Sequence, residues 1–140
     1  MIETPDSETT PVTLESYLMG REVKYASEYT SDVAMNAMQL LPRVNALLQD
    51  LGVSSVIVTS GWRPPSLNAH IPNAAPRSLH MVGKAVDLSD VEGKLFNLII
   101  DHHPLLKKYE LWIENKMFTP TWVHLDIGHR KEREVNIFSP

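Results

Sequence analysis

Apolar residues recur at three- and four-residue spacings through the first half of the chain, which is the pattern of amphipathic helices. The longest stripe begins after Thr30 and ends at Gly52, residues suited to a helix N-cap and a C-terminal cap. Its members are Val33, Ala37, Met38, Leu41, Val44, Leu48 and Leu51. Pro42 lies inside this stripe, so we expect the helix to be kinked or split in two there. Shorter stripes, each preceded by a capping residue, predict two further helices: residues 14–18 after Thr13 and residues 91–102 after Asp90.

Short apolar and β-branched segments in the second half of the chain predict strands. They are residues 53–59, 83–87, 110–114, 122–127 and, as an edge strand, 135–138. Because helices come first and strands mostly later, we expect an α+β fold with a small antiparallel sheet and helices packed on one face. The connection from Ser60 to Ser78 contains four prolines. A loop of that length in a small domain is usually functional or disordered.

The length and composition are typical of one globular domain: 140 residues, of which 43% are hydrophobic and 21% charged. We interpret the acidic, Ser-, Thr- and Pro-rich residues 1–12 as a flexible tail and residues 13–140 as a single domain. Thirteen basic and seventeen acidic residues give a net charge of −4, which argues against a nucleic-acid binder with a basic surface. The absence of cysteine excludes a disulfide framework, a thiolate metal site and a cysteine nucleophile.

Residues 78–87 read Ser-Leu-His-Met-Val-Gly-Lys-Ala-Val-Asp and contain two candidate metal ligands. On one helix His80 and Asp87 would lie about 10 Å apart along the axis, too far to share an ion. Gly83 between them permits a bend, which lets His80 fold back over the strand that carries Asp87. On that strand Asp87 shares its face with the small residue Ala85, which leaves room for an ion.

A third candidate ligand follows on the strand predicted at residues 122–127. Its apolar residues alternate towards the core, so His124 projects from the opposite face, towards a cleft. Two neutral imidazoles and one carboxylate suit a single Zn²⁺ ion with a fourth position left for water, which zinc would activate near neutral pH. The alternatives are a surface histidine at His80, a turn-capping carboxylate at Asp87 and a partly buried sheet histidine at His124.

Together with Ser60-Gly61-Trp62-Arg63, these motifs resemble those of the zinc D-Ala-D-Ala metallopeptidases, a group that includes the sonic-hedgehog fold and the lysostaphin-type enzymes. The family pattern Ser-x-His-x-x-Gly-x-Ala-x-Asp is matched at Ser78, His80, Gly83, Ala85 and Asp87 and is followed by a strand histidine, here His124. The likeness covers about residues 30–128 and is closest to peptidoglycan carboxypeptidases, dipeptidases and phage L-alanyl-D-glutamate endopeptidases. It implies a hedgehog-like fold, with a zinc cleft on the sheet face opposite the helices. It also implies hydrolysis of a peptide bond in peptidoglycan stem peptides, by a carboxypeptidase or by an endopeptidase of endolysin type.

One position departs from the family pattern. Many members carry a glutamate three residues before the last histidine, where it acts as general base, and here that residue is Thr121, which cannot take a proton from water. We favour Glu114 as the substitute. On the strand predicted at residues 110–114, alternation places Glu114 on the face opposite the core. It can therefore reach the metal site if this strand pairs with residues 122–127.

The remaining candidates concern the substrate and the surroundings of the metal. The resemblance implies that Arg63 contacts substrate, by binding a carboxylate or steadying the developing oxyanion, and its alternative is a structural loop arginine. Ser78 is a candidate for substrate binding or a plain turn residue. Asp126 and His129 are weaker candidates for the base, and Asp126 could instead orient His124. Residues 130–134, which alternate in charge, are interpreted as a solvated turn.

Two rival functions stay open: a catalytically silent zinc-binding domain with a phage structural or wall-binding role, and a metal-free module in which the motif matches are coincidental. No segment approaches the ~18 apolar residues of a membrane span, and the N-terminus lacks the features of a secretory signal. We therefore expect cytoplasmic synthesis, no membrane insertion and, for work on the cell wall, phage-assisted or virion delivery. The oligomeric state is open, with a monomer favoured.

Overall fold

The computed structural model describes residues 10–140, and within that part of the chain helices pack against one five-stranded sheet. The α-helices are α1 (Leu14–Leu18), α2 (Arg21–Lys24), α3 (Ser31–Asp50), α4 (Pro65–Asn68), α5 (Lys94–Asp101) and α6 (Pro104–Lys108). The strands are β1 (Val58–Ser60), β2 (Ala85–Ser89), β3 (Trp112–Glu114), β4 (Trp122–Asp126) and β5 (Ile137–Phe138). Short 3₁₀ helices occupy Ala26–Glu28, Leu79–Val82 and Lys116–Phe118. The architecture is α+β, as the sequence predicts. None of the helices in this part of the chain is long and apolar enough to cross a membrane.

Helix α3 is the main helix of the core, and it runs without a break through Pro42. The Thr30 hydroxyl accepts a hydrogen bond from the Val33 N–H, as expected for its N-cap. The predicted split at Pro42 is therefore wrong. Pro42 lies on the exposed side of the helix, and so does Met38, whose carbonyl loses its partner because proline has no N–H. Water can satisfy that carbonyl, which explains why the helix continues.

The strand order is β1-β2-β4-β3-β5, with antiparallel pairs throughout except for the last, because β5 runs parallel to β3 at the edge. The first and third strands are shorter than predicted. Residues 53–57 lie outside β1, whose register with β2 covers only Val58 and Ser60. Strand β3 starts at Trp112 because Glu110 adopts φ +55°, a left-handed conformation that a β-ladder cannot contain.

A single apolar cluster joins the helices to the inner face of the sheet. From α3 it takes Leu40, Val44, Leu47 and Leu48, and from the sheet Val86, Leu88, Ile113, Val123 and Leu125. Helix α5 begins later than predicted, at Lys94, yet Asp90 caps it: the two carboxylate oxygens accept from the N–H groups of Leu95 and Phe96, each at 2.9 Å. The alternation of buried and half-buried residues along β2 and β4 leaves their polar side chains on the outer face.

Val12 also belongs to this cluster, although the predicted tail included it. The Asn45 side chain supplies both backbone hydrogen bonds of Val12, with its Oδ1 accepting from the N–H at 2.8 Å and its Nδ2 donating to the carbonyl at 2.9 Å. A buried apolar side chain with a satisfied backbone explains why this residue is folded. The preceding part of the predicted tail, residues 1–9, lies outside the described residues.

Candidate metal centre

His80, Asp87 and His124 converge on the outer face of the sheet. One ligand atom from each lies within 4.8 Å of those of the other two. The Asp87 carboxylate sits between the rings, with Oδ2 at 3.2 Å from His80 Nε2 and Oδ1 at 2.9 Å from His124 Nδ1. The register of β2 and β4 explains half of this arrangement, because it places Asp87 directly opposite His124.

A tight bend brings His80 to the strand residues. Ser78 starts the 3₁₀ helix Leu79–Val82, and its Oγ accepts from the His80 N–H at 3.2 Å. Gly83 ends that helix at φ +82°, and β2 begins two residues later. The bend expected at Gly83 is therefore present. The Trp62 indole N–H fixes the same turn by donating to the Met81 carbonyl at 3.0 Å.

Hydrogen bonds on the far side of each imidazole orient the two rings. His80 Nδ1 lies 2.9 Å from the Gly61 carbonyl, which can only accept, so Nδ1 carries a proton and Nε2 is the nitrogen that faces Asp87 and is available to a metal ion. His124 Nε2 lies 2.7 Å from Asp126 Oδ2, and its Nδ1 faces Asp87. Metal-binding histidines usually have such partners, which fix the tautomer and the ring orientation. The donor set and its surroundings therefore fit a zinc ion.

In the metal-free chain, contacts between the Asp87 carboxylate and the two histidine rings hold the cluster together. Burial disfavours a charged His124, but the hydrogen bonds that its ring donates to Asp126 and Asp87 outweigh this and raise the pKa of His124 to about 9. Burial also works against a charged Asp87, yet hydrogen bonds from both histidines hold the pKa of that carboxyl well below its usual range. The side chains of Asp87 and His124 are only 14% and 12% exposed. A cation that replaces the proton on His124 Nδ1 would meet the Asp87 carboxylate, while Asp126 would keep its contact with Nε2.

Asp126 and Arg130 form a buried support behind His124. The Asp126 carboxylate accepts two hydrogen bonds from Arg130, at 2.6 and 3.1 Å, and one from the Gly128 N–H at 3.0 Å. The guanidinium lies 3.4 Å from the centre of the Phe138 ring. Arg130 therefore is not part of a solvated turn, and the prediction for residues 130–134 is wrong there. The signal that sequence reasoning missed is the i, i+4 spacing of the two charges, which pairs them after the strand ends.

Glu114 lies on the outer face of the sheet beside this cluster. In the antiparallel register Trp112 pairs with Asp126 and Ile113 with Leu125, so the next step places Glu114 opposite His124. Burial raises the pKa of Glu114 above its ordinary value; the His124 charge opposes this rise, and the Asp87 and Asp126 charges add to it. Thr121, the residue at the usual position of the base, is exposed. The strand pairing that the Glu114 prediction required is thus present.

Arg63 follows β1, which pairs with β2 on the side away from β4. Burial lowers the pKa of its guanidinium, and the charge of nearby Asp87 opposes this shift. Its Nη1 donates to Asn68 Oδ1 at 3.0 Å and its Nη2 to Ser60 Oγ at 3.1 Å. Asn68 in turn donates to the Ala75 carbonyl at 3.1 Å, which ties the long loop together. Sequence reasoning missed Asn68, because a polar loop residue carries no signal of burial.

The site thus offers two oriented imidazoles, a carboxylate between them, a second half-buried carboxylate and a guanidinium. A family model described as Peptidase M15 matches residues 17–126, a range that contains His80, Asp87 and His124. No curated protein and no solved structure gives a significant match. The match covers well over half of the chain and supports a metallopeptidase. The chain belongs to the M15 peptidase family.

Proposed function

We propose that this M15 protein is a zinc-dependent peptidase that hydrolyses a peptide bond in the stem peptides of bacterial peptidoglycan. The observation that carries the proposal is the convergence of His80, Asp87 and His124, with Glu114 beside them on the same face of the sheet. The motif resemblance to peptidoglycan carboxypeptidases and endopeptidases supports the substrate class. Both exo and endo cleavage are compatible with these residues.

His80 Nε2, the Asp87 carboxylate and His124 Nδ1 are the proposed ligands of one zinc ion. Zinc in such a site supplies a Lewis acid for the scissile carbonyl and activates a water molecule. The chain contributes the geometry of the site. Gly61 and Asp126 hold the two rings so that each presents one nitrogen to Asp87. This arrangement lowers the reorganisation that metal binding requires.

Glu114 is the proposed general base. Its carboxylate would take the proton of the attacking water and return it to the leaving amine. Its position opposite His124 supports this role, and so does its environment, because burial raises its pKa towards the working pH of a general base.

Arg63 and Ser78 are proposed to bind substrate. Ser60 and Asn68 hold the Arg63 guanidinium beside Asp87, where it can meet a peptide carboxylate or the oxyanion that develops during attack. Ser78 uses its oxygen to cap the turn of His80, which leaves its hydroxyl hydrogen free to donate. Ser78 would thus combine a turn role with a substrate contact.

A second function, a zinc-binding domain without catalysis, is favoured by one observation. Thr121 occupies the position at which many relatives carry their base, and it cannot accept a proton. The two functions make the same prediction for metal binding and opposite predictions for turnover.

The test is digestion of purified peptidoglycan by the zinc-loaded protein, with the products identified by mass spectrometry. We expect His124→Ala to lose both zinc and product. Glu114→Gln should keep zinc and lose most of the turnover, about 10²–10⁴-fold, because only the proton acceptor is removed. Glu134→Gln, which makes the same change at an exposed position, is the control.

The outcomes separate the hypotheses. Full activity in Glu114→Gln would remove Glu114 from the mechanism. Wild-type protein that binds zinc one-to-one and releases no fragment from any peptidoglycan would support the silent domain instead. Activity that survives complete removal of the metal would overturn the proposal.

A further inference from the structure

Apart from the metal centre, a polar pocket of about 310 Å³ lies at the end of the sheet where β2 begins and β4 ends. Arg43 of α3 and Lys84, just before β2, line one part of it. Arg130, Gly128 and Trp112 line the part next to the metal centre. We call this space the basic pocket. None of its lining residues is a proposed metal ligand or the proposed base.

The charges around the basic pocket are unbalanced. Arg43, Lys84 and Arg130 face it, against the single carboxylate of Glu110. Arg130 already pairs with Asp126. Within residues 10–140, by contrast, the side chains of Arg43 and Lys84 lie in no salt bridge with Glu110 or any other carboxylate. Cations that converge without a counter-ion repel one another, and an anionic ligand would relieve that repulsion. This excess of positive charge is local to the pocket, because the whole chain carries a net charge of −4.

One carboxylate joins the basic pocket to the metal centre. Oδ2 of Asp126 lies 2.7 Å from His124 Nε2 and 3.1 Å from Arg130 Nη2. The guanidinium of Arg130 is held in place by this contact and by the Phe138 ring. A ligand that contacts Arg130 in the basic pocket would therefore be separated from His124 by two side chains, those of Arg130 and Asp126.

Gly128 packs closely against its neighbours at the edge of the basic pocket. A Cβ there would lie 2.8 Å from Leu79 Cδ1 and 3.2 Å from Arg130 Nη1, so a larger residue would displace Arg130 or Leu79. The volume is at the small end of the range for ligand pockets, which suits a single residue of a peptide. The small volume favours a compact anion over an extended polyanion.

We propose that the basic pocket binds a carboxylate of the peptide substrate and so selects acidic peptides. The inference rests on the proposed function for its substrate class, since stem peptides carry free carboxylates. Lys84 would act as a compact point charge and Arg43 as a planar donor, two complementary ways to bind a carboxylate. This subsite is separate from Arg63, which does not line the pocket and is held by Ser60 and Asn68.

The test is a titration of the isotope-labelled full chain, followed by NMR, with a stem peptide that contains free carboxylates and with the same peptide fully amidated. Both zinc-loaded and chelator-treated protein are used, because pocket residues do not bind the metal. We expect the acidic peptide to shift the amide signals of Lys84 and Gly128 and the indole signal of Trp112. The amidated peptide should bind about tenfold more weakly.

Three variants separate the basic pocket from general attraction between charges. Arg43→Ala and Lys84→Ala should each weaken binding of the acidic peptide about three- to tenfold and leave the amidated peptide unaffected. Lys131→Ala removes the same charge from an exposed position outside the pocket and should change nothing. Arg130 is left intact because it supports Asp126.

Equal affinity for the two peptides would overturn the inference, as would signal shifts confined to the surroundings of Arg63. An equal loss in Lys131→Ala would do the same, since it would reveal attraction to the surface as a whole. Failure of this subsite and failure of the proposed function give different results. Binding at the basic pocket without hydrolysis would refute only the peptidase, and hydrolysis with equal use of both peptides would refute only this subsite.

Discussion

At the scale of single residues, the chemistry of His124 depends on a side chain that contacts no substrate in the proposed mechanism. Asp126 holds Nε2 of the ring, and Arg130 holds Asp126 with two hydrogen bonds. Phe138 and Trp112 pack their rings against that guanidinium. The orientation of one proposed ligand is therefore set by a chain of contacts that ends at the edge strand β5.

The first prediction follows from this chain. Asp126→Asn should weaken zinc binding about 10–100-fold, because the amide is a poorer acceptor for the Nε2 proton and no longer pairs with the Arg130 charge. Zinc affinity can be measured by competition with a chromophoric chelator. Asp32→Asn, at an exposed position in the first turn of α3, should leave the affinity unchanged. Wild-type affinity in Asp126→Asn would mean that the ring is oriented by packing alone.

Sequence reasoning reached the proposed ligands and missed their support for a physical reason. His80, Asp87 and His124 each carry a signal, either in a motif with fixed spacing or in the alternation of a strand. Arg130 lies in a run of charges that resembles any solvated turn, and only the folded chain shows that a buried carboxylate and an aromatic ring surround it. The spacing of four residues between Asp126 and Arg130 is a local signal for their pairing, but nothing in the sequence indicates that Asp126 is buried behind His124.

At the scale of elements, the turn at Gly83 determines whether the site exists. This residue reverses the chain between the 3₁₀ helix that carries His80 and the strand that carries Asp87. Its φ of +82° is in the left-handed region, and a Cβ would meet the Val33 carbonyl oxygen at 2.6 Å. Two separate constraints therefore require glycine here.

The second prediction uses a matched pair of glycines. Gly52 has a similar φ of +74°, but a Cβ there would meet nothing within 4 Å. Gly52→Ala should lower the free energy of unfolding by about 1–2 kcal/mol, the cost of the left-handed conformation. Gly83→Ala carries the same cost together with the clash against Val33, so its loss should be clearly larger. Urea unfolding measures both changes.

Zinc binding provides the second half of this test. We expect Gly83→Ala to weaken it, because relief of the clash moves His80 relative to Asp87. Gly52→Ala should bind zinc as the wild type does. Equal destabilisation by the two substitutions, with normal zinc affinity in both, would show that the space around Gly83 is not restrictive.

Element starts were predictable where a single side chain defines them. Thr13 and Thr30 cap their helices through a hydroxyl directly before the first helical residue, whereas Asp90 caps α5 from a distance, and that helix begins at Lys94, later than predicted. Strand lengths were not predictable, because β1 extends only as far as its register with β2 provides partners. The continuity of α3 through Pro42 depends on which side of the helix faces water, and that is known only once the helix is packed.

At the scale of the whole molecule, the small sheet and the helix layer separate two tasks. The apolar cluster between α3 and the inner face of the sheet holds the fold. The outer face is free to gather charged groups, and it places Asp87, His124, Asp126 and Glu114 within reach of one another. The fold class was predictable from the order of helices and strands. The parallel pairing of β5 was not, because nothing local fixes the direction of a two-residue edge strand.

The third prediction concerns the stability of the whole molecule as a function of pH. In the metal-free chain the pKa of His124 is raised from 6.5 to about 9. Its charged form therefore contributes stability that is fully present below pH 6.5 and is lost as the pH rises through about 9. The pH dependence of zinc binding has the opposite sign. Zinc needs the unprotonated Nδ1 of His124, so the affinity of the protein for zinc increases as that proton leaves, up to about tenfold per pH unit.

The difference in melting temperature between zinc-loaded and chelator-treated protein should thus widen steadily from pH 6.5 to 8.5. Groups that titrate identically in both forms cancel from that difference, which isolates the metal centre. The His102→Gln variant removes an exposed histidine at the end of α5 and should give the same curve as the wild type. In His124→Ala the difference should be small at every pH, because a proposed ligand is missing. A difference in the wild type that stays constant over this range would mean that zinc displaces no proton from His124, and the ring would then have to be removed from the proposed ligands.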